Sequence, residues 1–247
     1  MSGNSPLGRS YAFGSAVSQG NSAKVLMDAC GGYANAQGAV AVVADGMGGY
    51  AGGEIASRIA VDTVLNHYLD AGFEQAPLGI RSVIEQINYR IRDRQQANPE
   101  FDRMGTTVVI AVACGEDLVV GHVGDSRAGL YRGDYMMRLT KDHLSVVERE
   151  GADDAGVKSD PVFGSRANVL SRFLGGEPVE PDIRVERLLP GDRIVLASDG
   201  ITEYVGELEI NRVVQTMEPD VAAQEIVRLA VANRSHDHCS AAVLRLN

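Results

Sequence analysis

The sequence predicts an α+β fold in which helices cover the outer faces of stacked antiparallel β-sheets. Three observations predict it. Short β-rich apolar runs are joined by Gly-Asp turn chemistry, which closes antiparallel hairpins. Long stretches in both halves of the chain switch to helical spacing of their apolar residues. The order of strands and helices lacks the strict alternation that builds a parallel sheet.

The elements follow in order. Tyr11 to Val17 reads as a first strand, Lys24 to Asp28 as a second, and Val40 to Ala44 as a third that runs into Asp45-Gly46-Met47-Gly48-Gly49. From Glu54 to about Gly72 the apolar residues Ile55, Ile59, Val61, Val64, Leu65 and Tyr68 recur at helical spacing. A second helix spans about Leu78 to Gln96. Ile80, Val83, Ile84, Ile87 and Ile91 form its apolar face, Arg81, Glu85, Arg92 and Arg94 its polar one, and Pro99 closes it.

A meander follows, with strands Thr106 to Ala113, Leu118 to Val123, Ala128 to Arg132 and Tyr135 to Leu139. From His143 to about Pro181 the rhythm breaks: a short helical piece, a polar stretch Gly151 to Gly164, then an apolar run Val169 to Leu174. So long an irregular insertion in a compact domain reads as a functional flap, set at about residues 144–181. Pro190-Gly191-Asp192 turns into the strand Arg193 to Ala197, which ends in Ser198-Asp199-Gly200. Helices near Leu208 to Met217 and Val221 to Asn233 precede a last strand, Ser240 to Leu246, introduced by His236-Asp237-His238.

The chain has 247 residues, with no composition shift that divides it; residues 1–10 are expected to be a flexible terminus and 11–247 a single domain. Its formal charge of -10 argues against a nucleic-acid or anionic-membrane surface, which needs clustered Lys and Arg, and suits divalent cations instead. Cys30, Cys114 and Cys239 are too few and too scattered for a disulfide framework or a Cys-x-x-Cys metal site, which fits a reducing cytoplasm. No apolar run reaches the roughly 18 residues needed to span a bilayer, and the start lacks an apolar signal core.

Acidic turns at strand ends carry the chemistry. Asp45 follows Val42-Val43-Ala44, Asp125 follows Val123-Gly124, Asp199 follows Leu196-Ala197-Ser198, and Asp237 stands just before the last strand. Each alone is explained by an Asx turn with glycines at positive φ. Their recurrence points to carboxylates converging at one rim, which is what hard cations such as magnesium or manganese require.

These pieces resemble the metal-dependent Ser/Thr protein phosphatases of the PP2C type, the PPM family, in their small bacterial form. The resemblance rests on Asp45-Gly46-Met47-Gly48-Gly49 with Gly53-Glu54-Ile55-Ala56-Ser57, then Met104-Gly105-Thr106-Thr107 and His122-Val123-Gly124-Asp125-Ser126-Arg127. It continues through Leu139-Thr140-Lys141-Asp142-His143, Val169-Leu170-Ser171-Arg172, Gly191-Asp192-Arg193 and Ala197-Ser198-Asp199-Gly200-Ile201-Thr202. The resemblance implies a four-layer α-β-β-α sandwich with two Mn2+ or Mg2+ ions, and a weaker third, in the cleft at one end. By analogy Asp45 bridges two ions, the Gly46 carbonyl binds the first, Asp199 and Asp237 complete the second, and Asp125 marks the third. It further implies hydrolysis of phosphoserine and phosphothreonine by a metal-activated water, on a phosphorylated protein substrate, opposing a Ser/Thr kinase in bacterial signalling. A monomer is expected.

The chain departs from the family at both ends of the motif series. Aligning Gly20 on the first motif's glycine puts Ala23 where a phosphate-gripping Arg is usual and Asp28 on the motif's aspartate, a metal position; placing Asn21 on the motif's asparagine instead loses that aspartate. Lys24 is then the candidate for the substrate phosphate, as a point charge without Arg's bidentate fork. His238 replaces the usual Asn after Asp237, and reads as a solvent-facing turn residue in preference to a partner beneath the metal ligands. The leaving-group acid falls to a metal-bound water, with His143 as the alternative. The eroded first motif also motivates a second reading, a pseudophosphatase that binds a phosphoprotein or kinase; the surviving carboxylates oppose it, because like charges crowded at one rim are destabilising without cations.

Overall fold

The computed structural model describes residues 10–22, 25–48, 52–73, 76–148 and 166–247. One five-stranded antiparallel sheet has the order β1 (Tyr11–Ser18), β14 (Cys239–Leu246), β13 (Arg193–Ala197), β8 (Arg127–Arg132), β9 (Tyr135–Arg138). The other has the order β12 (Asp182–Arg187), β7 (Asp117–Val123), β6 (Val108–Cys114), β3 (Ala39–Ala44), β2 (Ala29–Ala34). Two short ribbons accompany them: β4 (Gly46–Met47) with β5 (Gly105–Thr106), and β10 (Leu144–Glu148) with β11 (Arg166–Leu170). The helices are α1 (Gly52–Ala71), α2 (Ala76–Ala97), a 3-10 turn Pro99–Phe101, α3 (Asp199–Thr202), α4 (Glu207–Thr216) and α5 (Pro219–Ala232).

Three apolar layers separate four structural ones, as expected of an α-β-β-α sandwich. Along β3, Ala39, Ala41 and Val43 face the layer between the sheets, while Val40, Val42 and Ala44 face α1 and α2. Along β13, Ile194 and Leu196 point inward while Val195 and Ala197 meet α4 and α5. Both faces of each central strand are buried, which is why these strands read as continuous apolar runs instead of alternating ones. Burial of these faces supplies the main driving force for folding.

Three elements differ from the sequence expectation. Val25 to Asp28 is not a strand; the second strand begins only at Ala29. The backbone of Met27 is already engaged, its N–H by His238 Nδ1 (3.4 Å) and its carbonyl by Ser57 Oγ (2.6 Å). The expected helical piece after His143 is instead strand β10, because the His143 N–H donates to the Gly124 carbonyl and its own carbonyl accepts from Ser171 N–H, which holds the chain extended. Strand β11 ends at Leu170, and Leu174 turns away to bridge Thr106. Strand β12 and the short helix α3 carried no sequence expectation.

One ion pair anchors the rim remote from the acidic turns. Asp192, fully buried, accepts from Arg132 Nε and Nη2 (both 2.7 Å) and from Leu189 N–H (2.8 Å). Asp192→Ala is therefore expected to lower stability by about 2 kcal/mol, since a partly exposed bidentate cation and the Leu189 backbone N–H lose their buried acceptor together. Urea unfolding followed by circular dichroism checks this; a loss under about 1 kcal/mol would assign the pair no more than a surface contribution.

Candidate metal centre

Asp45 leaves the end of β3 with its backbone fully committed. Its N–H donates to Thr107 Oγ1 (3.1 Å), and its carbonyl accepts from Thr107 N–H (2.9 Å) and Thr106 Oγ1 (2.9 Å). The next residue must be glycine: a Cβ on Gly46 would stand 2.1 Å from the Gly53 carbonyl oxygen and 2.5 Å from that of Met27. The same Thr107 hydroxyl meets Ser126 Oγ at 2.8 Å, so the turn carrying Asp125 is tied to the turn carrying Asp45. Gly124 sits at φ +114°, which lets that turn pass close over Thr107.

Asp199 opens α3 at the end of β13. Ser198 before it donates its N–H to the Ser240 carbonyl of β14 (3.0 Å), and Ser240 N–H donates back to Ser198 Oγ (3.0 Å). Ser240 Oγ in turn donates to Asp28 Oδ2 (2.7 Å), so one serine joins two acidic segments. Asp237 lies two residues ahead of β14, exposed, with Oδ1 accepting from His238 N–H (2.8 Å).

The electrostatics show that these carboxylates converge. Burial, then the charges of Asp28 and Asp199, push the Asp45 carboxyl well above the usual carboxylate range. Burial, and next the Asp237 charge, raise Asp199. Burial pushes Asp28 to about 6, and burial with the Asp199 charge pushes Asp125 to about 6. Glu203, one turn after Asp199, is raised by burial and by Asp199; it carried no sequence expectation, though its i,i+4 spacing from Asp199 could have pointed to it.

Divalent cations fit this donor set. Asp28 Oδ1 and Asp199 Oδ1 are buried with no hydrogen-bond partner, an arrangement that costs free energy unless a cation or ordered water completes it. The donors are all oxygen, the preference of magnesium and manganese.

Other candidates fall elsewhere. Lys24 lies outside the described residues, as does the whole polar flap stretch Gly151 to Gly164. His143 is buried: Nδ1 accepts from Gly124 N–H (3.1 Å), and Nε2 faces Asp182 at 3.4 Å. With both ring nitrogens engaged and burial lowering its affinity for a proton, His143 is not placed to protonate a leaving group. His238 is 2 % exposed, so the solvent-facing expectation is wrong: the imidazole folds back under the Asp28 segment. His122, His143 and Asp182 bring one ligand atom each within 4.8 Å of one another. That group is already served, since Asp182 accepts from Arg172 Nη1 (2.9 Å) and His122 Nε2 donates to the Lys141 carbonyl (2.9 Å).

A strand-end rim of carboxylates with partnerless buried oxygens, set at one end of an α-β-β-α sandwich, defines the class: a protein built to hold divalent cations. Comparison with known proteins sharpens this. The protein phosphatase 2C family model matches residues 21–232, and the chain belongs to that family. The serine/threonine phosphatase stp of Listeria innocua is 33% identical over 144 residues, which cover 58% of this chain and 57% of that protein. The serine/threonine protein phosphatase PstP of Mycobacterium tuberculosis is 27% identical over 191 residues, 77% of this chain and 37% of that protein. The fold matches the PstP catalytic domain, solved in complex with 2 manganese ions, with a TM-score of 0.80 at 24% identity, over 96% of this chain and 99% of that one. No helix among the described residues is long and apolar enough to cross a membrane.

Proposed function

We propose that this chain is a metal-dependent protein serine/threonine phosphatase, and that residues 11–247 form one catalytic domain with a flap at about 144–181. The observation that carries the activity is the convergence of Asp28, Asp45, Asp199 and Asp237, with partnerless oxygens on Asp28 and Asp199. In this reading Asp45 would be shared between two Mn2+ or Mg2+ ions, the Gly46 carbonyl would serve the first, Asp199 and Asp237 would hold the second, and Asp28 and Asp125 would serve further metal contacts. When bound, such ions place positive charge on the phosphoryl oxygens and acidify a water for in-line attack.

The protein's own part is positioning. Thr107 locks the Asp45 backbone and the Asp125 turn together, and Ser240 locks the Asp28 carboxylate to the Asp199 strand end. Carboxylates so held need no rearrangement as charge develops, which is the basis of electrostatic preorganisation. Lys24 is proposed to contact the substrate phosphate. The substrate is a phosphorylated protein, the opposing enzyme a Ser/Thr kinase, the acting form a monomer, and the compartment the cytoplasm.

Hydrolysis of p-nitrophenyl phosphate and of a phosphothreonine peptide, with EDTA, magnesium and manganese in parallel, tests the reading. Release that needs metal and stops with EDTA is the expected result. Manganese is the first ion to try, given the ions in the PstP structure. A folded protein silent in every metal would overturn it and leave a phosphoprotein-binding module.

A further inference from the structure

The segment Val25 to Asp28 brings a carboxylate to the metal rim without belonging to a sheet. Its backbone is held by two side chains from distant motifs. His238 Nδ1 accepts the Met27 N–H at 3.4 Å, and Ser57 Oγ of α1 donates to the Met27 carbonyl at 2.6 Å. The same carbonyl lies 2.5 Å from where a Cβ on Gly46 would stand, so the segment rests directly on the glycine turn after Asp45. Because Nδ1 accepts, the neutral imidazole carries its proton on Nε2. That Nε2 is buried without a partner, as is Asp28 Oδ1.

We propose that His238 is a positioning residue: with Ser57 it clamps Met27 and so fixes the Asp28 carboxylate for metal binding, a task the eroded first motif leaves to the other end of the chain. This rests on the metal reading proposed above. His238 does not itself touch substrate or ion in this account. It acts through one backbone N–H, which a side chain of the same bulk without an acceptor cannot replace. An imidazole that merely fills the core would be interchangeable with leucine.

The test is calorimetric titration of manganese into the EDTA-stripped, dialysed protein, comparing wild type with His238→Leu, His238→Gln and Ser57→Ala, and with Asp45→Asn as control. Circular dichroism melts report folding of each. His238→Leu is expected to weaken manganese binding tenfold or more, the scale at which outer-shell partners act on metal affinity. His238→Gln, which keeps an acceptor, is expected to stay within about threefold of wild type on the same scale. At limiting manganese kcat falls in the leucine variant and recovers at saturating metal, while KM for p-nitrophenyl phosphate stays put.

Equal affinities for the leucine and glutamine variants, or wild-type affinity in the leucine variant, would sink the clamp. Should His238→Leu not fold, Ser57→Ala decides: it releases the same carbonyl from the α1 side, and unchanged manganese affinity there overturns the proposal. Asp45→Asn separates the two readings. If it leaves manganese binding intact, the metal assignment has failed; if it abolishes binding while the His238 and Ser57 variants bind normally, only the clamp has failed.

Discussion

Asp45→Asn is expected to abolish turnover while leaving the metal-free fold more stable. Asn keeps the shape, so the backbone bonds of residue 45 to Thr106 and Thr107 survive. What disappears is the carboxylate proposed to bridge the ions. Loss of one oxyanion-stabilising donor costs about 10²–10³ in rate. Loss of a ligand shared by two ions affects both, so the fall should exceed about 10³-fold at any manganese concentration. The stability effect has the opposite sign, because the Asp45 carboxyl is buried near the charges of Asp28, Asp199 and Asp237, and replacing it removes a burial cost and repulsion that otherwise need a proton or a cation to relieve. The check is p-nitrophenyl phosphate hydrolysis across a manganese titration, with melts of the EDTA-treated variant beside wild type. A variant that turns over at a tenth of the wild-type rate would remove Asp45 from the centre.

The candidate site was more legible in the sequence than the connections that build it. Asp45, Asp125 and Asp199 stand at the ends of apolar strands, where a side chain leaves the sheet edge whatever the register, so local pattern was enough to place them at one rim. The central strands were legible for a related reason: burial on both faces leaves an apolar run that is too short for a helix and is ended by a turn. Strand β12 escaped notice because it is an edge strand, Asp182 to Arg187, mixing charged residues with two aliphatic ones. Val25 to Asp28 was misread because its apolar residues suggest a strand, while its backbone partners, His238 and Ser57, come from 211 and 30 residues away. His238 was misjudged for the same reason. A turn neighbour of an exposed aspartate reads as exposed, and only tertiary packing shows the ring buried beneath the first motif. The serine and threonine hydroxyls that lock the rim, on Thr107, Ser126 and Ser240, have no periodicity to announce them.

Stripped of metal, the protein should be more stable near pH 5 than near pH 7.5, the reverse of what its salt bridges alone would produce. Asp28 and Asp125 both titrate at about 6 in the folded chain against 3.8 as the ordinary value, raised chiefly by burial. A raised carboxyl means the folded state holds a proton the unfolded chain has released. Stability therefore falls as pH rises from about 4 to about 6, and the full penalty stands above that window. For Asp28, 5 % exposed, the penalty is on the order of 3 kcal/mol; Asp125, more open to solvent, contributes less. Asp142 and Asp182, held low by arginine or histidine partners against the opposing pull of burial, act in the other direction. Their window lies below the ordinary carboxylate value, so their contribution is already complete at pH 5. Manganese reverses the picture only where the carboxylates are ionised. A ligand at 100 times its Kd adds about 2.7 kcal/mol, and protons compete for the same oxygens, so the manganese-induced rise in Tm should be larger at pH 7.5 than at pH 5. Four melts, with EDTA or manganese at each pH, decide it. An EDTA-treated protein whose Tm climbs from pH 5 to 7.5, with equal manganese shifts at both, would mean that the crowded aspartates are paired by groups of the protein itself and not by cations.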